Sequence, residues 1–217
     1  MTDEYGAAYT AYQTNRSVLR KYVRRLYLKS AAKALSGPTL DFGCGVGELL
    51  ARLPEGSKGL EYNHASVDFC RHKGLNVEWY DGYADNWCLS TLPGGSRFES
   101  MVVSHVLEHL EDPMNVLRAL LRWAGSAGVR RVLVIVPGWV GYTADNTHRT
   151  YIDWEMLRGL LETERCWTVT RKSYFPININ RVGNWFRYQE LQALLEPWSY
   201  ENGGPLCCGE QPDRIHP

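Results

Sequence analysis

Apolar residues occur along this chain in short runs that are separated by polar and glycine-containing segments. The runs that have the length of buried strands are residues 40–42, 58–62, 75–80, 98–105 and 131–136. Between them, apolar residues recur at helical spacing over residues 65–73 and after Pro113. This alternation predicts an α/β fold built on a doubly wound, mostly parallel sheet.

Both ends of the chain depart from this alternation. Residues 16–35 have the spacing of an amphipathic helix with a basic face. We therefore expect residues 1–35 to form an N-terminal helical cap that acts as a substrate lid. Residues 36–200 then form the sheet domain, and the polar segment 201–217 forms a flexible tail.

Four shorter elements are predicted from local signals. Residues 48–53 begin a helix after a glycine-rich loop, and Asp153 caps a second helix. Residues 167–174 alternate like a strand, and a final helix contains Trp185 and Leu195.

Composition narrows the possible functions. The 217 residues contain 24 Lys+Arg and 24 Asp+Glu, so no net field draws the protein to nucleic acid or anionic lipid. The apolar runs are too short to span a bilayer, and the N-terminus lacks the features of a signal peptide. We expect a cytoplasmic protein with reduced cysteines, either a monomer or a homodimer, and neither a membrane nor a nucleic-acid partner.

The segment from Asp41 to Gly47 reads Asp-Phe-Gly-Cys-Gly-Val-Gly, and it follows the first predicted strand. Glycines at every second position leave the backbone bare, which suits a nucleotide or nucleoside at the edge of a parallel sheet. A phosphate-binding P-loop requires lysine after the last glycine, where this chain has Glu48. The dinucleotide fingerprint fails because its third glycine comes too early. A nucleoside without phosphate is the ligand class that remains.

Residues 40–47 resemble the first motif of class I S-adenosylmethionine-dependent methyltransferases. Residues 59–62 resemble the second motif of that family, and residues 98–113 resemble the fourth-strand signature of its small-molecule branch, methyltransferase types 11, 12 and 23. The likeness spans residues 38–165. It implies an enzyme with a seven-stranded Rossmann-like sheet, in which residues 36–200 bind S-adenosylmethionine and release S-adenosylhomocysteine.

The resemblance also implies which residues contact the cofactor. Those expected near its methionine part or in the glycine loop are Asp41, Gly43, Cys44, Gly45 and Gly47. Glu61 is expected to bind the ribose and Tyr62 the adenine. The adenine edge is assigned to Asp81, Gly82 and Tyr83, with Asp85 as an alternative in a shifted register. His105, at the end of the fourth strand, completes the set.

His105 and His148 are the candidate catalytic bases, because histidine titrates in the range needed to deprotonate an oxygen or nitrogen. Cofactor hydrogen bonding for His105 and loop anchoring for His148 are equally open. The acceptor is expected to contact aromatic and basic residues outside the common core: Tyr9, Tyr12, Tyr142, His148, Arg181 and Trp185.

Residues 105–109 also match the His-x-x-Glu-His pattern of one class of zinc peptidases. That pattern requires both histidines on one helical face, whereas His105 follows a strand-like run. We therefore expect no metal.

The predicted activity is methyl transfer to an oxygen or nitrogen of a small polar metabolite. An RNA or protein methyltransferase and a non-catalytic, cofactor-binding regulatory subunit are the alternatives.

Overall fold

The computed structural model describes residues 18–92, 96–164, 166–179 and 185–198, with side chains of the first helix described from residue 24 onwards. Residues 1–17 of the predicted lid and the whole of the predicted tail lie outside these residues. The helices are α1 (Val18–Ala34), α2 (His64–His72), α3 (Pro113–Ser126), α4 (Trp139–Thr143) and α5 (Trp154–Thr163). The strands are β1 (Thr39–Phe42), β2 (Lys58–Glu61), β3 (Val77–Trp79), β4 (Ser100–Ser104), β5 (Arg131–Pro137), β6 (Trp167–Phe175) and β7 (Glu190–Pro197).

The seven strands form one sheet in the order β3-β2-β1-β4-β5-β7-β6. β1 to β5 are parallel to one another, and β7 runs antiparallel to both β5 and β6. The predicted doubly wound, mostly parallel, seven-stranded sheet is confirmed. β1 and most of β5 are buried on both faces, which is why their sequences do not alternate.

Helices cover both faces of the sheet. On one face, Tyr27, Leu28 and Ala31 of α1 pack with Leu133 and Ile135 of β5. On the other face, α3 and α5 pack with the alternate residues of the same central strands; the residues are Leu117, Leu120, Leu121, Leu157, Leu160, Met101, Val103, Val132 and Val134. No helix in the described part of the chain is long and apolar enough to cross a membrane.

The helix boundaries follow the predicted end signals. The Asp112 side chain accepts a hydrogen bond from the Asn115 N–H at the start of α3, where Pro113 is the first helical residue. Asp153 caps α5 in the same way, through Met156 N–H. Gly74, with φ of 74°, follows α2 in the left-handed conformation.

The prediction of a final helix holding Trp185 and Leu195 is wrong. The segment from Glu190 to Pro197 is strand β7. Its residues Leu191, Ala193 and Leu195 face one core cluster, while Leu194 faces the other. A strand that is apolar on both faces carries no alternation, so its spacing does not distinguish it from a helix.

The predicted helix over residues 48–53 is also wrong. Only a single 3-10 turn forms there, Leu50–Arg52, and Leu53 is already extended. Leu53 precedes Pro54, and the residue before a proline is biased away from helical dihedral angles. The glycine loop is therefore connected to β2 by this single turn and a short non-helical segment.

Candidate active site

A cavity of about 780 Å³ opens at the carboxyl ends of the parallel strands. Its floor is the junction between β1 and β4, where the strand order reverses direction along the chain. Open α/β sheets bind their ligands at such a junction, because the loops that leave the two neighbouring strands diverge there.

The glycine loop forms one wall of this cavity through Gly43, Cys44 and Gly45. Gly43 and Gly45 have φ values of 72° and 55°, which side-chain-bearing residues rarely adopt. A Cβ atom on Gly43 would lie 2.2 Å from Cγ2 of Val106, so the loop has no room for a side chain there. The loop is held by hydrogen bonds from Gly43 N–H and Cys44 N–H to the Leu60 carbonyl, at 2.8 and 3.1 Å.

Glu61 ends β2 and binds the glycine loop directly. Its Oε2 accepts from Gly45 N–H and its Oε1 from Asn63 N–H, both at 2.8 Å. Burial raises the pKa of Glu61, although these backbone N–H groups favour the ionised form. Glu61 thus lines the cavity with a carboxylate of fixed orientation.

Asp41 lies in β1 and is buried beneath the loop. Its Oδ2 has no hydrogen-bond partner among the described residues. Burial, and secondarily the charge of Glu61, raises the pKa of Asp41 to about 7. A buried acceptor without a partner costs free energy, so this atom is suited to a donor supplied by a ligand.

Another wall of the cavity is formed by the segment after β3. Its lining residues are Tyr80, Gly82 and Tyr83, together with Tyr62. The carboxylate of Asp81 instead accepts from the N–H groups of its own turn, Tyr83 at 3.0 Å and Ala84 at 3.2 Å.

Two further predicted residues, Asp85 and Gly47, do not line the cavity but stabilise the segments around it. Asp85, the alternative to Asp81, accepts from Tyr80 Oη at 2.7 Å and from Ser90 N–H at 3.1 Å. A Cβ atom on Gly47 would lie 2.4 Å from Cδ1 of Leu75, so that glycine permits close packing against the segment after α2.

His105 follows β4 with φ of 55° and lies between two carboxylates. Its Nδ1 is 3.0 Å from Glu108 Oε1 and its Nε2 is 2.9 Å from Glu190 Oε1. Burial alone would lower the pKa of His105, but the hydrogen bonds to Glu108 and Glu190 outweigh it and raise that pKa to about 10. A ring that donates from both nitrogens is a poor proton acceptor, so this arrangement favours the hydrogen-bonding role for His105 over that of a base.

His148 lies on the opposite side of Glu108. Its Nδ1 is 2.8 Å from the Tyr142 carbonyl, and its Nε2 is 4.0 Å from Glu108 Oε1. The Tyr142 ring stacks on the His148 ring with centroids 5.6 Å apart, and the His109 ring meets it edge-on at 4.8 Å. Burial lowers the pKa of His109. His148 lines the cavity. Tyr142 is not among the cavity residues and instead packs against the His148 ring.

The remaining predicted acceptor residues are placed less favourably or not at all. Trp185 is 88% exposed and does not contribute to the described cavity wall. Tyr9, Tyr12 and Arg181 lie outside the described residues.

Sequence reasoning missed two cavity residues that contact His105, Glu190 and Tyr27. Glu190 binds His105 from β7, which was predicted to be a helix. Tyr27 of α1 hydrogen-bonds Ser104 and places its ring edge 5.9 Å from the ring of His105. No local motif marks these residues, because the contacts join segments that are distant in sequence.

Comparison with known proteins shows the family of the chain. A family model of methyltransferase domains matches residues 12–196, which is most of the chain. The chain belongs to this methyltransferase family. None of the curated proteins compared with it gives a match.

Solved structures share the fold of this methyltransferase at low sequence identity. An S-adenosylmethionine-dependent methyltransferase from Archaeoglobus fulgidus has a TM-score of 0.62 and 19% identity, over 88% of this chain and 99% of that one. Magnesium protoporphyrin IX methyltransferase from Synechocystis PCC 6803, solved with S-adenosylhomocysteine, has a TM-score of 0.58 and 14% identity, over 84% and 88%. A Haloferax volcanii methyltransferase in complex with its Trm112 activator has a TM-score of 0.58 and 12% identity, over 81% and 90%.

S-adenosylmethionine is the cofactor of this methyltransferase, and the cavity fits it at two points. The glycine loop gives a ligand access to bare backbone, and the unpartnered Oδ2 of Asp41 offers an acceptor to a donor or a positive charge. Glu61 offers a second carboxylate at the adjacent strand end.

Proposed function

We propose that this methyltransferase transfers the methyl group to an oxygen or nitrogen of a small polar molecule. The observation that carries the proposal is the polar wall formed by Glu108, His109 and His148, which belongs to the same cavity as the glycine loop. A volume of about 780 Å³ is in the range of small-molecule sites, which favours a compact acceptor. Arg149 and Arg187 also line this side and favour an acceptor with anionic or carbonyl groups.

Bound S-adenosylmethionine supplies an electrophilic methyl group, whose transfer breaks its bond to sulfur, forms a bond to the acceptor atom and leaves S-adenosylhomocysteine. The protein must align the acceptor and accommodate the proton that leaves it. His148 is the candidate for the second task. The Tyr142 carbonyl accepts from Nδ1–H, so the neutral ring carries its lone pair on Nε2 and can accept a proton there.

The test is His148→Ala, assayed with an acceptor identified by screening polar hydroxyl and amine compounds. We expect turnover to fall at least tenfold while the dissociation constant for S-adenosylhomocysteine changes by less than about twofold, since general bases contribute roughly 10²–10⁴-fold. His72→Ala, on the far end of α2, is the matched control and should retain turnover. Wild-type turnover in His148→Ala contradicts the assigned role.

A second candidate, an RNA methyltransferase, is supported by a separate cleft lined by Arg25, Lys29, Lys33 and Arg52. Basic side chains on one surface are the footprint of phosphate binding. Retention on RNA that weakens steeply with salt, and is lost in Lys29→Glu, would favour this candidate over a small metabolite.

A non-catalytic, cofactor-binding role is the other alternative. It predicts that the protein, incubated with S-adenosylmethionine and cell extract, releases no S-adenosylhomocysteine. A cytoplasmic location, and a monomeric or homodimeric state, remain predictions.

A further inference from the structure

Three potential metal ligands converge on the acceptor side of the cavity. One ligand atom each from Glu108, His109 and His148 lies within 4.8 Å of the other two. Glu108 and His109 come from the 3-10 turn after β4, and His148 comes from the loop after α4. The set differs from the zinc-peptidase pattern in the sequence, because His105 is held by Glu190 and is not a member.

Glu108 is the buried member of this set. Its side chain is only 1% exposed, and its Oε2 has no hydrogen-bond partner among the described residues. Oε1 is satisfied by His105. A buried carboxylate oxygen left without a donor is costly, and a cation that enters the cavity would remove that cost.

His148 is oriented as a metal-binding histidine is. Because a carbonyl oxygen can only accept, the 2.8 Å contact with Tyr142 requires a proton on Nδ1. The lone pair of the neutral ring is then on Nε2, which faces Glu108. Metal-binding histidines commonly donate their second N–H to a carbonyl or carboxylate in this way.

The tautomer of His109 is set by a chain of two hydrogen bonds. The Thr147 hydroxyl donates to Asp145 Oδ1 at 2.7 Å, so its oxygen must accept from His109 Nδ1–H at 3.1 Å. This assignment leaves the lone pair of the neutral ring on Nε2 of His109. His109 and His148 each contribute one ring nitrogen to the group of potential ligand atoms that includes Glu108.

We propose that Glu108, His109 and His148 bind a divalent first-row transition metal at the acceptor site. Two imidazole nitrogens and one carboxylate oxygen are a ligand set typical of zinc and iron(II), and three protein ligands leave positions open for a substrate. Ligand atoms about 2 Å from a metal lie no more than about 4 Å apart. The present separations therefore close by side-chain shifts of less than about 1 Å.

The proposal deepens the proposed function, on which its catalytic part rests, by assigning how the acceptor is activated. An acceptor hydroxyl bound at an open position loses its proton more readily, because the metal stabilises the oxyanion. The proton leaves to water, the oxygen forms its bond to the methyl carbon, and the electron pair of the broken carbon–sulfur bond stays on sulfur. His148 then acts as a ligand rather than as a base, and oxygen rather than nitrogen is the acceptor atom.

The binding test uses the full-length protein, freed of metal with a chelator and titrated with Co²⁺ as a spectroscopic probe. We expect one equivalent to bind, with visible absorption of nitrogen and oxygen coordination and without the near-ultraviolet band of cysteine thiolate. Glu108→Gln and His109→Ala should each weaken Co²⁺ binding at least tenfold, in line with loss of a ligand. His72→Ala is the control and should bind like the wild type. S-adenosylhomocysteine affinity verifies that each variant is folded.

A wild-type protein that binds no Co²⁺, or ligand variants that bind it unchanged, would overturn the site. The catalytic part is tested separately, with the acceptor found for the proposed function. We expect the chelated enzyme to lose at least tenfold in turnover, to keep its S-adenosylhomocysteine affinity and to recover with added Zn²⁺ or Fe²⁺. Full turnover after chelation overturns the metal's role but supports the proposed function. Stoichiometric Co²⁺ binding without methyl transfer to any compound contradicts the proposed function and leaves the metal site supported.

Discussion

The two halves of the cavity are built on different principles. The cofactor half, at the ends of β1 and β2, uses backbone N–H groups and two carboxylates from the segment between Asp41 and Glu61. The acceptor half uses side chains from the 3-10 turn after β4, from the loop after α4 and from β7; these are Glu108, His148 and Glu190. A half made of bare backbone can serve one ligand throughout a family, whereas a half made of distant side chains can change from one enzyme to the next.

The strongest test of this contrast is Gly43→Ala, which should damage the cofactor half. The new Cβ would lie 2.2 Å from Val106 Cγ2 and would impose a side chain at φ of 72°. We expect S-adenosylhomocysteine affinity, measured by titration calorimetry, to fall about 100-fold, the equivalent of about 2.7 kcal/mol.

Gly74→Ala is a matched control for that change. Gly74 has φ of 74°, nearly the same as Gly43, but a Cβ there meets nothing within 4 Å. The control should lose about 1 kcal/mol of stability through backbone strain and keep its cofactor affinity. Equal losses of affinity in both variants would attribute the Gly43 effect to general destabilisation.

The acceptor half is tested by Glu190→Gln, which removes one of the two carboxylates that hold His105. We expect the pKa of His105, followed by NMR titration, to fall by at least one unit from its value of about 10. Because the folded pKa is raised, its contribution to stability is complete below about pH 6.5 and is lost as pH rises through about 10. The variant should therefore lose stability relative to wild type at neutral pH and approach it above pH 10.

Glu196→Gln is the control for Glu190→Gln, since Glu196 belongs to the same strand but pairs with Arg131. The control should leave the His105 titration unchanged. An unshifted His105 in Glu190→Gln would mean that Glu108 alone maintains its charge.

The last test returns to the cofactor half and concerns Asp41→Asn and the pH dependence of stability without cofactor. Burial raises the pKa of Asp41 to about 7, so its contribution is complete below about pH 4 and is lost as pH rises through about 7. Asparagine does not titrate, so the variant should gain stability relative to wild type between pH 4 and 8, on the order of 1–3 kcal/mol. Chemical denaturation at both pH values measures the gain, and the exposed Asp68→Asn should show none.

The contrast between the halves also explains what the sequence could predict. The glycine loop and Glu61 are local motifs, and the structure places Gly43, Cys44, Gly45, Glu61 and Tyr62 around one cavity. The parallel core was likewise predictable, because turn and cap signals separate its strands.

The acceptor half was only partly predictable for a physical reason. Glu190 is recognised as a site residue only from the pairing of β7 with β5. The sequence does not predict this pairing, because the apolar strand β7 has no period that distinguishes it from a helix. Asp81 followed a motif correctly in sequence, yet its carboxylate caps its own turn. Whether such a carboxylate faces the cavity or caps its own turn depends on hydrogen bonds to nearby backbone groups. Residue types alone do not specify these hydrogen bonds.

The position of β7 has a consequence for how the protein is made. Among the described strands it is the last to be synthesised, yet it lies between β5 and β6, which precede it in the chain. The nascent chain can therefore complete its cofactor loop long before it can close the sheet. Until Glu190 has emerged, His105 lacks one of its two carboxylate partners and the edge of β5 is unpaired. The acceptor half of the cavity, which includes Glu190, can thus be completed only after β7 has inserted between β5 and β6.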